Sequence, residues 1–163
     1  MTSTTGAAVG TTREETARAT ARNDAREHLA RLDENQLESR WNGGPTTRSI
    51  LRAIAAQPDR VRSPLGRLLD EPTHPALSTV YVRPTRPVRI SVGPSQFQLP
   101  PADVGDDLYQ HLDWCECAEL LRIARDDFGL DPERGPDKIL PRTPGPPDPL
   151  ASSRGEWFML WWD

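Results

Sequence analysis

The chain has 163 residues and a formal net charge of −4, with 17 prolines and a hydrophobic fraction of 36%. This length suits one domain with a sizeable core, and the low apolar fraction leaves part of the chain outside that core. No run of about 18 apolar residues occurs, which excludes a transmembrane helix, and two cysteines only two positions apart exclude the disulfide framework of small secreted domains.

Residues 1–12 are predicted to form a disordered tail. They have neither the basic start nor the apolar stretch of a secretory signal, so we expect a soluble, cytoplasmic protein. Only one of the 20 basic residues, Lys138, is a lysine. Such a bias is typical of GC-rich coding sequences and indicates a bacterial source.

Residues 13–44 are predicted to form a charged N-terminal helical segment. Thr12 and Glu15 have the spacing of a capping box, which places the helix start at Arg13. The Asn-Gly-Gly-Pro sequence at 42–45 ends the segment. Its apolar stripe is thin and consists of Ala17, Ala21, Ala25, His28, Leu29 and Leu32. Such a helix buries little area, so it lies at the periphery or docks onto a partner.

Residues 45–163 are predicted to form an α+β domain, which begins with a helix capped by Thr47 and a short helix from Ser63 to Leu69. Two short helices joined by a turn resemble a helix-turn-helix, and the Arg-rich segment 48–89 suits a nucleic-acid backbone. Prolines in the connection and the acidic balance of the chain argue against it. Nucleic-acid binding therefore stays an alternative.

Two runs rich in β-branched residues follow, at Ser78–Arg83 and Pro87–Val92, and are separated by a turn. They predict an antiparallel hairpin. One face of the hairpin is apolar, and the other carries Tyr81 and Arg89.

The stretch HLDWCECAEL, residues 111–120, raises the question of a metal site. In one continuous helix, His111 and Cys115 would be neighbours one turn apart. The apolar stripes instead favour a new helix from Trp114 to Phe128, capped by Asp113, which separates them. A thiol- or metal-dependent enzyme centred on His111 and Cys115 stays a second alternative.

A Pro-rich loop is predicted at 141–149, followed by the most apolar stretch of the chain, Glu156–Asp163. As a strand, this stretch places Trp157, Met159 and Trp161 on one face, and Phe158, Leu160 and Trp162 on the other. It predicts a final core strand that pairs with the hairpin and is covered by helix 114–128. The alternative is an aromatic anchor for a partner.

The charge is segregated along the chain: residues 45–100 carry eight arginines and three acidic residues, and residues 101–140 carry four basic and eleven acidic residues. No nucleophile, phosphate-binding or zinc motif with usable spacing is present, so neither catalysis nor a cofactor is expected. The sequence predicts a non-catalytic protein-interaction or accessory protein with an acidic protein partner and no membrane partner. The residues predicted to make this contact are Arg83, Arg86, Arg89, Trp157, Trp161 and Trp162.

Overall fold

A computed structural model describes residues 6–66, 68, 76–90, 114–142, 144 and 156–163, with side chains from residue 13 onward. The helices are α1 (Gly6–Arg31), α2 (Glu34–Glu38), α3 (Thr47–Ala56) and α4 (Cys117–Asp126). The strands are β1 (Val61–Arg62), β2 (Thr79–Val82), β3 (Lys138–Pro141) and β4 (Phe158–Trp161). The predicted α+β class, with an antiparallel sheet that includes the C-terminal strand, is confirmed.

The four strands are ordered β1-β2-β4-β3, and every neighbouring pair is antiparallel. Strand β4 is therefore central, and Leu160 lies opposite Val80 on one side and Ile139 on the other. Because side chains alternate along a strand, these apolar residues share one face of the sheet.

This inner face of the sheet and the helices enclose one core. The sheet contributes Val61, Val80, Val82, Ile139, Phe158 and Leu160, and helices α3 and α4 contribute Ile50, Leu51, Ile54, Leu120, Ile123 and Ala124. Trp162 follows β4, is fully buried, and donates its indole N–H to the carbonyl oxygen of Arg134 at 3.1 Å. The hydrogen bond satisfies the polar atom of the largest buried side chain.

Helix α1 differs from the prediction at both ends. It is helical from Gly6, so the predicted start at Arg13 is wrong, whereas residues 1–5 of the predicted tail lie outside the described residues. It ends at Arg31, because Asp33 is the N-cap of the separate helix α2. Asp33 and Gln36 form a capping box, in which each side chain accepts a hydrogen bond from the backbone N–H of the other residue.

The thin stripe of α1 packs within the domain. Ala25 and His28 are buried, and Ala21, Leu29 and Leu32 pack against the core. Helix α1 lies against α3, so the C-terminal part of the stripe is covered by its own chain, whereas Ala17 is exposed.

The second strand of the predicted hairpin is wrong over residues 87–90, which form no strand; residues 91 and 92 lie outside the described residues. Both edges of β2 are already occupied, by β1 and by β4. The backbone of Arg89 instead meets the start of α4: its carbonyl oxygen accepts from the Glu116 N–H at 2.8 Å, and its N–H donates to the Glu116 carboxylate at 2.6 Å.

Two further predictions concern segments that the structure describes only in part, and a third concerns strand pairing. Of the predicted helix at 63–69, residues 65 and 66 form a turn, residue 68 is helical, and residues 67 and 69 lie outside the described residues. Of the predicted loop at 141–149, Pro141 belongs to β3, and most of the remainder lies outside the described residues. The predicted pairing of the C-terminal strand with the strand at 78–83 is confirmed.

Candidate interaction face

The sheet has a second face, here called the outer face, which is opposite the core. Alternation along the strands and the register between them place nine of its side chains in three cross-strand rows. The rows are Thr79, Trp161 and Lys138; then Tyr81, Met159 and Leu140; then Arg83, Trp157 and Arg142. Eight of the nine are half-buried and Arg142 is exposed, so the outer face is accessible.

A cation lies over each tryptophan of the outer face. The Nζ atom of Lys138 is 4.5 Å from the centroid of the Trp161 ring. The Cζ atom of Arg83 is 5.9 Å from the centroid of the Trp157 ring. Such cation–π contacts hold the side chains of both partners in place. The outer face therefore has an apolar centre between two charged ends.

The outer face forms the floor of a groove of about 550 Å³. Its walls come from Trp41, Pro64, Leu68, Ala76 and Leu77, and the exposed fraction of Trp41 is 41%. The described residues that line the groove include Lys138 and Arg142 but no aspartate or glutamate. The groove thus combines apolar surface with positive charge.

Two of the three predicted interaction arginines contact the acidic segment of the same chain. Arg86 forms an ion pair with Glu119 of α4, and Arg89 lies 3.9 Å from the carboxylate of Glu116. The segregated charges therefore neutralise each other in part within the molecule. Among the described residues, Arg83 has no carboxylate in ion-pair contact, and its contact is with the ring of Trp157.

The three predicted interaction tryptophans separate into two groups. Trp157 and Trp161 lie on the outer face, as the alternation predicted. Trp162 has no exposed surface and packs against Gly44 in the core. Trp162 is therefore not available for a surface contact. The groove instead contains Trp41, which no sequence pattern singled out.

The alternative site at His111 and Cys115 gains no support. His111 lies outside the described residues, and the described residues contain no group of three His, Cys, Asp or Glu side chains that could hold a metal ion. Helix α4 begins at Cys117 instead of Trp114, and Trp114 has an exposed fraction of 46%. Cys117 packs against the core, where burial and the nearby Cys115 raise its pKa.

The arginines assigned to a nucleic-acid backbone mostly have partners within the chain. Arg48 donates to the carboxylates of Glu38 at 2.7 Å and Glu34 at 2.5 Å, and these contacts raise its pKa. Arg60 and Arg62 donate to backbone carbonyl oxygens. Of these arginines, only Arg48 is neutralised by two carboxylates, while Arg60 and Arg62 are oriented by the backbone and keep their charge.

Comparison of the chain with protein-family models, with curated proteins and with solved structures finds no significant match. In the part of the chain that the structure describes, no helix is both long and apolar enough to cross a membrane. The outer face is therefore the feature from which a function is inferred.

Proposed function

We propose that this chain is a non-catalytic interaction protein of a bacterial cytoplasm, which binds a segment of a partner protein across the outer face. The segment carries apolar side chains that enter the groove and carboxylates that meet the basic ends of the outer face. The observation that carries the proposal is the row of Tyr81, Met159 and Leu140 between two tryptophans that each lie beside a cation.

The apolar part of the groove supplies the affinity in this proposal. Tryptophan, tyrosine and methionine are enriched in protein interfaces, and a few buried aromatic side chains provide most of the binding energy. Trp161 and Tyr81 are half-buried before any partner binds, so little side-chain entropy is lost on binding.

The charged ends supply the orientation and the preference for an acidic segment. Lys138 and Arg142 line the groove, and its described lining contains no carboxylate that would repel a partner's acidic residues. Complementary charge speeds association and selects the partner more than it adds affinity.

A protein partner is favoured over single-stranded nucleic acid. Nucleic-acid platforms stack bases on open aromatic faces, whereas Lys138 and Arg83 lie over the rings of Trp161 and Trp157. The net charge of −4 also opposes a polyanion at long range. Aliphatic lining by Met159 and Leu140 suits amino-acid side chains better than bases.

The test is selection of binding peptides from a displayed library of random peptides, followed by affinity measurements on the synthetic peptides. We expect enriched sequences with apolar residues flanked by Asp or Glu. Trp161→Ala should weaken their binding by about tenfold or more, which is about 1.4 kcal/mol. Trp114→Ala is the matched control, because Trp114 is an exposed tryptophan that does not line the groove.

Three results would overturn the proposal. The first is the absence of enriched peptides, and the second is equal effects of Trp161→Ala and Trp114→Ala. The third is tight binding of a single-stranded oligonucleotide that weakens steeply with salt and depends on Trp161, which would replace the protein partner with nucleic acid.

A further inference from the structure

A second concave site lies at one end of the sheet, where β2 leaves it and where β1 and β4 enter. This recess, here called the arginine recess, has a volume of about 510 Å³. Its lining consists of Arg60, Arg83, Pro84, Thr85, Arg86, Pro87 and Glu156. Three arginines thus line one opening, with one acidic residue, Glu156, among the described lining residues.

We propose that the arginine recess binds the phosphate group of a small phosphate monoester or of inorganic phosphate. This site goes beyond the proposed protein partner, which occupies the groove, although it shares Arg83 with one basic end of the outer face. Guanidinium groups match the geometry of phosphate oxygens and donate paired hydrogen bonds to them. The volume lies within the range of small-ligand sites.

The backbone holds two of the arginines in place. The N–H of Arg83 donates to the carbonyl oxygen of Arg60 at 2.7 Å, and the Nη1 of Arg60 donates to the carbonyl oxygen of Pro84 at 2.9 Å. The guanidinium of Arg83 also lies over the ring of Trp157. An anion entering the recess therefore meets donors that are already ordered, which reduces the entropic cost of binding.

Acidic residues near the recess, Asp59, Glu119, Glu156 and Asp127, offset part of its positive charge, and the charge left for a ligand is chiefly that of Arg83. Arg83 has no carboxylate in ion-pair contact among the described residues, and Arg60 lies 3.9 Å from the carboxylate of Asp59. Arg86 pairs with Glu119, but Glu119 also accepts hydrogen bonds from Arg122 at 2.9 and 3.0 Å. Arg86 can therefore turn to a ligand while Glu119 keeps a cationic partner.

The experiment is a titration of the ¹⁵N-labelled protein with sodium phosphate and, separately, with adenosine 5′-monophosphate, at constant ionic strength. We expect a saturable shift of the indole N–H signal of Trp157 with a Kd of about 1 mM or tighter. Equal affinities assign the recess to free phosphate, and tighter binding of the monoester assigns it to a phosphorylated ligand. Sodium acetate controls for general anion effects.

Variants decide whether the arginines are responsible. Arg83→Gln should weaken phosphate binding at least tenfold, and Arg83→Lys should weaken it less, since it keeps the charge and loses the paired geometry. Arg52→Gln is the matched control at an exposed arginine outside the recess and should change the affinity less than twofold. Trp161→Ala should leave phosphate binding unchanged, so failure here is distinguishable from failure of the proposed groove.

Three results would overturn the arginine recess as a phosphate site. They are the absence of a saturable shift, an equal response to acetate, and unchanged binding in Arg83→Gln that has retained its fold by circular dichroism.

Discussion

The carboxylate of Asp131 accepts a hydrogen bond from the backbone N–H of Thr46 at 2.8 Å and from the Thr46 hydroxyl at 3.0 and 3.1 Å. Thr46 is the N-cap of α3 and accepts from the N–H of Ser49 at 3.0 Å. The loop after α4 therefore completes the cap of a helix 85 positions earlier in the chain. Arg40 lies 3.4 Å from the same carboxylate and adds an ion pair.

Asp131→Asn should destabilise the protein at pH 7 by about 1 kcal/mol. This value is toward the low end for hydrogen bonds to a charged group, because the side chain of Asp131 is partly exposed. Partial burial alone would raise the pKa of Asp131, but hydrogen bonds from Ser49 and Thr46 and the charge of Arg40 lower it overall. Urea unfolding measures the change. Glu133→Gln is the control, since Glu133 pairs with Arg40 but does not cap the helix.

The difference in the free energy of unfolding between the wild type and Asp131→Asn should also depend on pH. Because the pKa of Asp131 is lowered on folding, its stabilisation is complete above the unfolded pKa of about 3.9 and is lost as the pH falls toward the folded pKa. The stability difference between the wild type and Asp131→Asn should therefore be constant near neutral pH and shrink below about pH 4. Asp137 also has a lowered pKa, chiefly through Arg134. Because Asp137 is present in both proteins, its contribution cancels in the difference, which then reports on Asp131. A difference that does not change with pH would contradict this account.

Gly44 should not tolerate a side chain. A Cβ atom there would lie 2.9 Å from the carbonyl oxygen of Trp41 and 3.2 Å from the ring of Trp162. Gly44→Ala should lower the free energy of unfolding by about 1–3 kcal/mol through overpacking. Gly66→Ala is the control, because a Cβ atom there meets no atom within 4 Å in the described structure, and it should be neutral or slightly stabilising. Chemical denaturation of both variants checks this, and equal effects would count against the close contact.

Neighbouring tryptophans should differ sharply in their contribution to stability. Trp162→Ala removes a fully buried ring and its hydrogen bond to Arg134. It should cost about 3–5 kcal/mol, enough to unfold a marginal domain. Trp161→Ala removes a half-exposed ring and should cost clearly less, while it impairs the groove. Thermal melts compare the two, and the reverse order would show that the assignment of the two faces is incorrect.

Cys117 should react slowly with alkylating reagents. Its pKa is raised by burial and by the neighbouring thiol, so its thiolate fraction is low at neutral pH. In Cys115→Ser, the rate of iodoacetamide labelling should stay below that of a small thiol and rise only at alkaline pH. Labelling in urea is the control and should restore the ordinary rate. Fast labelling of the folded variant at pH 7 would refute the prediction.

Short-range patterns in the sequence predicted much of the fold. The alternation of Trp157 to Trp162 assigned each side chain of β4 to the correct face, because side chains alternate strictly along a strand. Helical spacing also places Glu14 beside Arg18 and Glu27 beside Arg31, and both pairs form ion pairs in α1. The signal for α2 was also present, since Asp33 and Gln36 have capping-box spacing.

Features that depend on contacts between distant residues could not be predicted in this way. Strand β1 has two residues and no pattern of its own, so β2 was paired with the run at 87–92. Trp41 lies beside the outer face, and Arg60 lies beside Arg83 and Arg86. These contacts can be predicted only when the order of the strands is known. Trp162 is buried because its ring fits into the space beside Gly44. That contact joins residues far apart in the chain and could not be predicted from the residues around Trp162.

The central position of β4 also constrains how the chain reaches its fold. Val80 and Leu160 are paired across the middle of the sheet, although the whole of α4 and β3 lies between them. Long-range pairing is slow compared with helix formation, so we expect β4 to join β2 late in folding and to leave that edge of β2 unpaired until then. An unpaired edge with alternating valines recruits other chains. Refolding yield should therefore fall as protein concentration rises, with competition between closure of the sheet and aggregation deciding the outcome.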